Sequence, residues 1–209
     1  MRSTADLLTL HALRLGGVLD DATIAARIAA DQNLVTELLL DHEAFGWVSR
    51  VRFADLSGWA LTERGRREDE RRLAAELDAA GARPQIEEAH RRFESLNGPV
   101  VAACTRWQLR PAPGGRSITN DHEDPAWDGQ ILDELEAVSR NLVGIVADLS
   151  AALPRFTGYA ERFAAALAEA RSGASEWVAG IEVDSCHKVW MELHADLLST
   201  LGLGSAMRS

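Results

Sequence analysis

Three titratable residues near the end of the chain share one face of a predicted helix. Asp184, His187 and His194 are separated by three and seven residues, and these spacings return to the same side of a helix. A carboxylate beside an imidazole orients the ring and stabilises its charged form, as a general base requires. The structural alternative is that Asp184 or Ser185 caps this helix and that the histidines are hydrogen-bonded packing residues.

Helix geometry limits any metal site built from these residues. His187 and His194 would lie about 10 Å apart along a helix axis, so both cannot reach one zinc ion at about 2.1 Å. Asp184 and His187 could share a metal with His122 as a third ligand, but no CxxC or HExxH motif is present. We therefore predict no metal site and no cofactor.

The segment 107–128 is the longest stretch without helical periodicity, and it contains His122. Such loops are commonly functional, although a turn rich in Asx residues is the structural alternative. If this loop meets the last helix, histidines and tryptophans would line a small-molecule cleft, in which Arg106, Arg110 or Arg116 could hold an anionic ligand. The predicted ligand-binding residues are Trp107, Arg110, His122, Trp127, Asp184, His187, Trp190 and His194.

Helices with one apolar face are predicted to hold these candidates in place. Apolar residues repeat at spacings of three and four over 127–149, which predicts a long helix that ends before Pro154. Further helices are predicted over 62–81 and from Pro84 onward, and we expect residues 97–99 (Asn-Gly-Pro) to break or kink the latter.

The region 18–67 predicts two short helices, a hairpin and the start of a longer helix. Asp20 and Asp21 are typical of a helix start, and Gly46 is typical of a helix end. The second helix is expected to pack through one face, and the strand after it alternates in polarity. The helix carries Leu34, Leu38 and Phe45 on one side, and residues 54–58 are the expected turn. The strand is expected to be half-buried, with one face formed by Trp47, Ser49, Val51 and Phe53 and the other by Val48, Arg50 and Arg52.

The run from Trp59 to Arg66 (WALTERGR) follows this hairpin. Its Leu61, Thr62, Gly65 and Arg66 resemble the Leu-Thr-x-x-Gly-Arg element that closes the wing of MarR-type winged-helix transcriptional regulators. The resemblance covers about residues 5–80, and the remainder departs from the usual short pattern of that family. It implies a winged-helix fold, a recognition helix that enters the DNA major groove and a homodimer.

The predicted recognition helix, residues 31–45, carries four carboxylates and no lysine or arginine. DNA affinity arises mostly from cations on phosphates, so the charge of this helix opposes binding. Residues of two kinds are nevertheless available for DNA. The predicted base readers are Gln32, Asn33 and Thr36, and the predicted phosphate contacts are Arg50 and Arg52.

The overall composition is that of an ordinary globular protein, with 46% hydrophobic and 26% charged residues. The formal net charge of −10 argues against a protein that coats nucleic acid. Two distant cysteines and the lack of a long apolar run predict free thiols, no membrane partner and a cytoplasmic location. His11 is expected to be a core or surface residue.

These observations predict a mainly α protein, with a winged helix-turn-helix domain over 1–81, whose wing is one β-hairpin, and an α-helical ligand-binding and dimerisation domain over 82–209. The leading hypothesis is a MarR-like transcriptional regulator that responds to a small-molecule effector. The alternative is an enzyme on the same scaffold, without DNA binding, in which Asp184, His187 and His122 do acid–base chemistry on a small molecule.

Overall fold

The computed structural model describes residues 3–53, 56–112 and 114–203. The chain is mainly helical with an antiparallel hairpin near its N-terminus, which confirms the predicted fold class. It divides into two compact units: unit 1 comprises Met1–Arg83 and Ala195–Ser209, and unit 2 comprises Pro84–His194. The sequence-based boundary lay two residues earlier, and it assigned residues 195–209 to the second part of the chain, whereas the described residues 195–203 belong with unit 1.

Unit 1 has the order of elements that the sequence predicted. Polar side chains cap its helices: the Asp20 carboxylate accepts from the Thr23 amide, and the Thr62 hydroxyl accepts from the Gly65 amide. Its elements are α1 (Ala5–Gly16), α2 (Asp21–Ile28), α3 (Gln32–Ala44), β1 (Val48–Phe53), β2 (Leu56–Leu61) and α4 (Glu63–Ala80).

The hairpin of β1 and β2 pairs from Val48 with Leu61 to Phe53 with Leu56. Trp59 in β2 also exchanges backbone hydrogen bonds with Leu19, which directly precedes α2, at 2.8 and 3.1 Å. The hairpin is therefore attached to the start of the α2–α3 pair. Ala54 and Asp55, part of the predicted turn, lie outside the described residues.

The packing face of α3 differs from the predicted one. Val35 and Leu39 are buried, whereas Leu34 and Phe45 are 42% and 53% exposed. The run Leu-Val at 34–35 fits two helical registers, and contact with α1 and α2 selects the one that buries Val35. On the strand, Val48 is buried and Phe53, at the far end of the hairpin, is 78% exposed.

Gly65 allows α4 to lie directly against the start of the wing. A Cβ atom at this position would come within 1.9 Å of the Trp47 carbonyl oxygen. The same carbonyl accepts hydrogen bonds from the Thr62 amide and hydroxyl. The packing of α4 against the wing therefore explains why Thr62 and Gly65 occur in the wing-closing element, independently of any contact with DNA.

Unit 2 is built from long helices and a second hairpin. Its elements are α5 (Arg83–Gln108), β3 (Leu109–Ala112), β4 (Arg116–Thr119), α6 (Pro125–Ala152), a 3-10 turn (Pro154–Phe156), α7 (Tyr159–Arg171), α8 (Glu176–Ala179) and α9 (Cys186–Leu201), whose last residues belong to unit 1.

Two predictions for unit 2 are wrong. The segment expected to be irregular contains the β3–β4 hairpin, in which Gly114 and Gly115 adopt positive φ in the connection. The predicted break at residues 97–99 is also wrong, because α5 is continuous across Pro99. Pro99 is exposed, whereas Phe93 and Val100 are fully buried on the other face, so packing holds the helix across the missing amide hydrogen bond.

Candidate functional site

The Asp21 carboxylate on α2 connects this helix to both α3 and the wing through hydrogen bonds. Its two oxygens accept from the Trp59 indole nitrogen at 2.7 Å and from the Thr36 hydroxyl at 2.6 Å. Thr36 was predicted to read bases, but its hydroxyl proton is used inside unit 1. The structure therefore assigns Thr36 to positioning α3 against α2.

The other predicted DNA-binding residues are on the surface. Gln32 and Asn33 are exposed in the first turn of α3. Arg50 lies over the Trp59 ring at 4.3 Å and 3.5 Å from a Glu43 oxygen. Arg52 is exposed, and its side chain makes no hydrogen bond or ion pair with the other described residues.

Behind α3, a polar network connects three helices of unit 1. His42 is buried, and its Nε2 lies 2.7 Å from an Asp6 carboxylate oxygen. Arg72 donates to the other Asp6 oxygen and lies over the Trp47 ring. Burial lowers the pKa of His42 despite the Asp6 charge, so the ring is neutral near pH 7 and positions α1, α3 and α4.

The same unit holds a buried ionic cluster that the sequence analysis missed. The His11 Nε2 lies 3.0 Å from an Asp196 oxygen, and its Nδ1 lies 3.4 Å from both Asp69 oxygens. Burial alone would lower the pKa of His11, but the charges and hydrogen bonds of Asp196 and Asp69 raise it to about 9. His11 was expected only to be a core or surface residue, and no local pattern indicated its partners because they lie 58 and 185 positions away.

In unit 2, four of the predicted ligand-binding residues form one cluster beside the β3–β4 hairpin. His122 contacts the Trp107 ring at 4.6 Å, and its Nδ1 lies 2.8 Å from an Asp128 oxygen. Arg110 lies over the Trp127 ring at 5.6 Å.

Backbone and side-chain contacts fix the geometry of this hairpin cluster. The Asn120 amide donates to the Trp107 carbonyl and to Asp128. His122 has φ 59°, a conformation that non-glycine residues adopt only when their surroundings hold them there. Arg110 also donates to Asp124 at 2.9 Å. The hairpin cluster is therefore a preformed group of two aromatic rings, an oriented imidazole and an arginine.

The predicted Asp184–His187 pair is not formed. Both Asp184 oxygens accept from the Arg162 guanidinium, at 2.7 and 2.8 Å, and Arg162 also donates to Glu192. Burial lowers the pKa of Arg162, but these carboxylates outweigh it and raise the pKa. Within the described part of the chain, the His187 side chain makes no hydrogen bond or ion pair. The acid–base alternative therefore loses the Asp184–His187 dyad on which it rested.

Of the two residues predicted to cap α9, Asp184 and Ser185, it is Ser185 that does so. Its hydroxyl accepts from the Lys188 amide at 3.2 Å. Trp190 in that helix is a core residue and not a cleft wall. It stacks on Phe93 at 4.0 Å and donates to Asn97 at 2.9 Å. The residues predicted to line one cleft therefore belong to separate groups of contacts.

His194, the remaining predicted residue, lies in a cluster with two residues of α5. Its Nε2 is 2.8 Å from a Glu94 oxygen, and the same oxygen is 3.5 Å from the His90 Nε2. Burial lowers the pKa of His90 below its ordinary value. His90 and Glu94 are spaced by four residues on one helix, which was a visible signal, but their pairing with His194 was not visible in the sequence.

Comparison with known proteins gives no match: no protein-family model, no curated protein and no solved structure is similar to the chain. Among the described residues, no helix combines the length and the apolar character that crossing a membrane requires.

Proposed function

We propose that this chain is a MarR-like winged-helix transcriptional regulator that contacts double-stranded DNA through unit 1. The observation that carries the proposal is the arrangement of α2, α3 and the β1–β2 wing, with β2 paired to Leu19 at the start of the helix pair. Helix-turn-helix proteins place the first residues of the second helix in the major groove. Gln32 and Asn33 are the exposed polar residues at that position of α3.

Phosphate contacts would come from the wing. Arg50 and Arg52 lie on β1 at alternate positions, which point to the same face of a strand, and both are exposed. Stacking on Trp59 holds Arg50 in an extended position over the hairpin. The Arg52 guanidinium is therefore available to a phosphate oxygen beside the groove in which α3 would lie, and Arg50 would exchange its Glu43 partner for another phosphate oxygen.

The carboxylates of α3 reduce the affinity of this surface. Glu37 and Asp41 are exposed on the helix that would approach the DNA, and like charges near phosphates are repelled. We therefore expect modest affinity at physiological salt and tighter binding at low salt. Glu37→Gln combined with Asp41→Asn should raise affinity, whereas Glu169→Gln, an exposed change in unit 2, should not.

The effector would bind at the hairpin cluster of unit 2. This cluster contains the half-buried Trp127 ring, the Arg110 guanidinium and the His122 imidazole held by Asp128, beside the buried ring of Trp107. Rings with one cation suit an aromatic carboxylate. Benzoate is the simplest such probe, and it should raise the melting temperature of the chain, but not that of Arg110→Ala, if it binds the folded protein there. The proposal includes a cytoplasmic homodimer.

The DNA proposal is tested by fluorescence anisotropy with the labelled duplex that lies upstream of the protein's own gene. Arg50→Ala combined with Arg52→Ala should weaken binding to every duplex by about tenfold or more, because two charge-assisted contacts are lost. Asn33→Ala should change the ratio between the upstream duplex and a scrambled one. Arg91→Ala with Arg140→Ala is the matched control, since it removes the same charge from unit 2 and should leave binding unchanged.

A further inference from the structure

Three side chains of unit 2 bring metal-ligating atoms together away from the hairpin cluster. His90 and Glu94 lie one helical turn apart on α5, and His194 lies on α9. One Glu94 oxygen is 2.8 Å from the His194 Nε2 and 3.5 Å from the His90 Nε2. The three ligand atoms all lie within 4.8 Å of one another.

One of these atoms, the His90 Nε2, has no hydrogen-bond partner among the described residues. The His90 Nε2 is buried and makes no hydrogen bond, because the Glu94 oxygen at 3.5 Å is too far for a good one. Buried polar atoms are nearly always satisfied by protein, water or an ion. The orphaned nitrogen faces the pair formed by Glu94 and His194, so one cation would satisfy all three groups.

An apolar base supports the His194 ring. The His194 ring contacts the Phe93 ring at 5.5 Å, and Phe93 stacks on Trp190. Phe93 and Trp190 are both fully buried, and they connect the same two helices that carry the ligands. A rigid apolar base of this kind favours preorganised coordination.

We propose that His90, Glu94 and His194 bind one divalent transition-metal ion, with Zn²⁺ as the best-fitting ion. In a tetrahedral zinc site with bonds of about 2.0–2.1 Å, neighbouring ligand atoms lie about 3.4 Å apart. The observed separations of 2.8 and 3.5 Å, and the limit of 4.8 Å, bracket that value. Small side-chain movements therefore suffice to form the site.

The donor set favours this class of cation over others. Two imidazole nitrogens and a carboxylate suit Zn²⁺ and its first-row neighbours, whereas Ca²⁺ and Mg²⁺ prefer oxygen ligands throughout. Three protein ligands leave a fourth position for water or for a substrate atom, as in open zinc sites. The inference concerns unit 2 alone and stands whether or not unit 1 binds DNA.

The test is calorimetric titration of Zn²⁺ into the tag-free full chain after removal of metals with a chelator. One ion per chain should bind. His90→Ala, Glu94→Gln and His194→Ala should each weaken Zn²⁺ binding by about tenfold or more, because even the loss of a group that only supports a metal ligand costs about that much. Glu94→Gln preserves side-chain shape, so it reports the ligand separately from folding. His187→Ala is the matched control: it removes a histidine from the same helix and should bind like the wild type.

A second readout uses Co²⁺, whose visible absorption is strong in four-coordinate sites and weak in octahedral ones. Wild type and His187→Ala should give the strong bands, and Glu94→Gln should lose them. The proposal is overturned if wild type binds no stoichiometric Zn²⁺, or if Glu94→Gln binds it as tightly as wild type. In either case the cluster is a Glu94–His194 ion pair with a neighbouring histidine.

Discussion

Raising the pH from about 6.5 to about 9.5 is expected to destabilise unit 1 through the titration of His11. The imidazole is 3% exposed and lies between Asp69 on α4 and Asp196 on α9. These carboxylates outweigh the effect of burial and raise its pKa to about 9, against an ordinary value of 6.5. The charged ring therefore connects three helices of the unit.

The direction of the change in stability follows from the folded-state and unfolded-state pKa values of His11. Because the folded-state pKa is the higher, the stabilisation is fully present below 6.5 and is lost as the pH rises through about 9. The gap corresponds to about 3 kcal/mol, since each pH unit is worth about 1.4 kcal/mol. The expected loss is thus a large fraction of the free energy of unfolding of an ordinary domain.

The assay is urea unfolding followed by tryptophan fluorescence at several pH values, for wild type and for His11→Gln. Burial raises the pKa of Cys104 to about 11 and of Cys186 to about 12, so these thiols ionise only on unfolding and also lower stability above about pH 9. The difference between the two proteins removes that contribution. Wild type should lose about 3 kcal/mol more than His11→Gln across the range.

The reasoning is refuted if the two pH profiles run parallel. An NMR titration of the wild-type imidazole gives an independent answer should His11→Gln fail to fold. The ring should titrate near pH 9, and a midpoint at or below 6.5 would show that burial outweighs the two carboxylates.

Three further predictions concern packing. Gly65→Ala should destabilise unit 1 by several kcal/mol in urea unfolding, because its Cβ would meet the Trp47 carbonyl oxygen at 1.9 Å; stability like wild type would contradict the close contact. Leu39→Ala should lower the free energy of unfolding by about 2–5 kcal/mol, because it leaves a cavity in the core, while Leu34→Ala should lower it by about 0.5 kcal/mol or less. A larger loss for Leu34→Ala than for Leu39→Ala would show that the predicted face of α3 is the buried one. His187→Ala should leave the free energy of unfolding within about 1 kcal/mol of wild type, and a larger loss would mean that His187 is a packing residue.

Local signals in the sequence predicted most of the secondary structure. Caps such as Asp20 and Thr62 accept from amides three residues away, so the two residues of each cap are close in the sequence. The long helices could be predicted because apolar residues recur at helical spacing over many turns. Both signals are independent of the rest of the fold.

The errors arose where two local patterns compete. Leu34 and Val35 are both apolar, and only packing against α1 and α2 decides which faces the core. Pro99 is a strong local signal, but burial of Phe93 and Val100 on the opposite face outweighs one missing hydrogen bond.

The polar clusters could be predicted only in part, because their members are distant in sequence. His122 and Asp128 were close enough to be considered together, and they do pair. His11 pairs with residues 58 and 185 positions away, and Glu94 pairs with a histidine 100 positions away. Such contacts depend on how the helices pack, which no local pattern encodes.

The most direct measurement of the proposed function is the salt dependence of duplex binding by the wild-type chain. At about 50 mM salt the protein should bind the upstream duplex, and the logarithm of the affinity should fall linearly with the logarithm of the salt concentration. Removing Arg50 and Arg52 should reduce the magnitude of that slope by about two, because each phosphate contact contributes about one. An absence of binding at about 50 mM salt, where phosphate attraction is strong, would contradict the DNA-binding role of this winged helix.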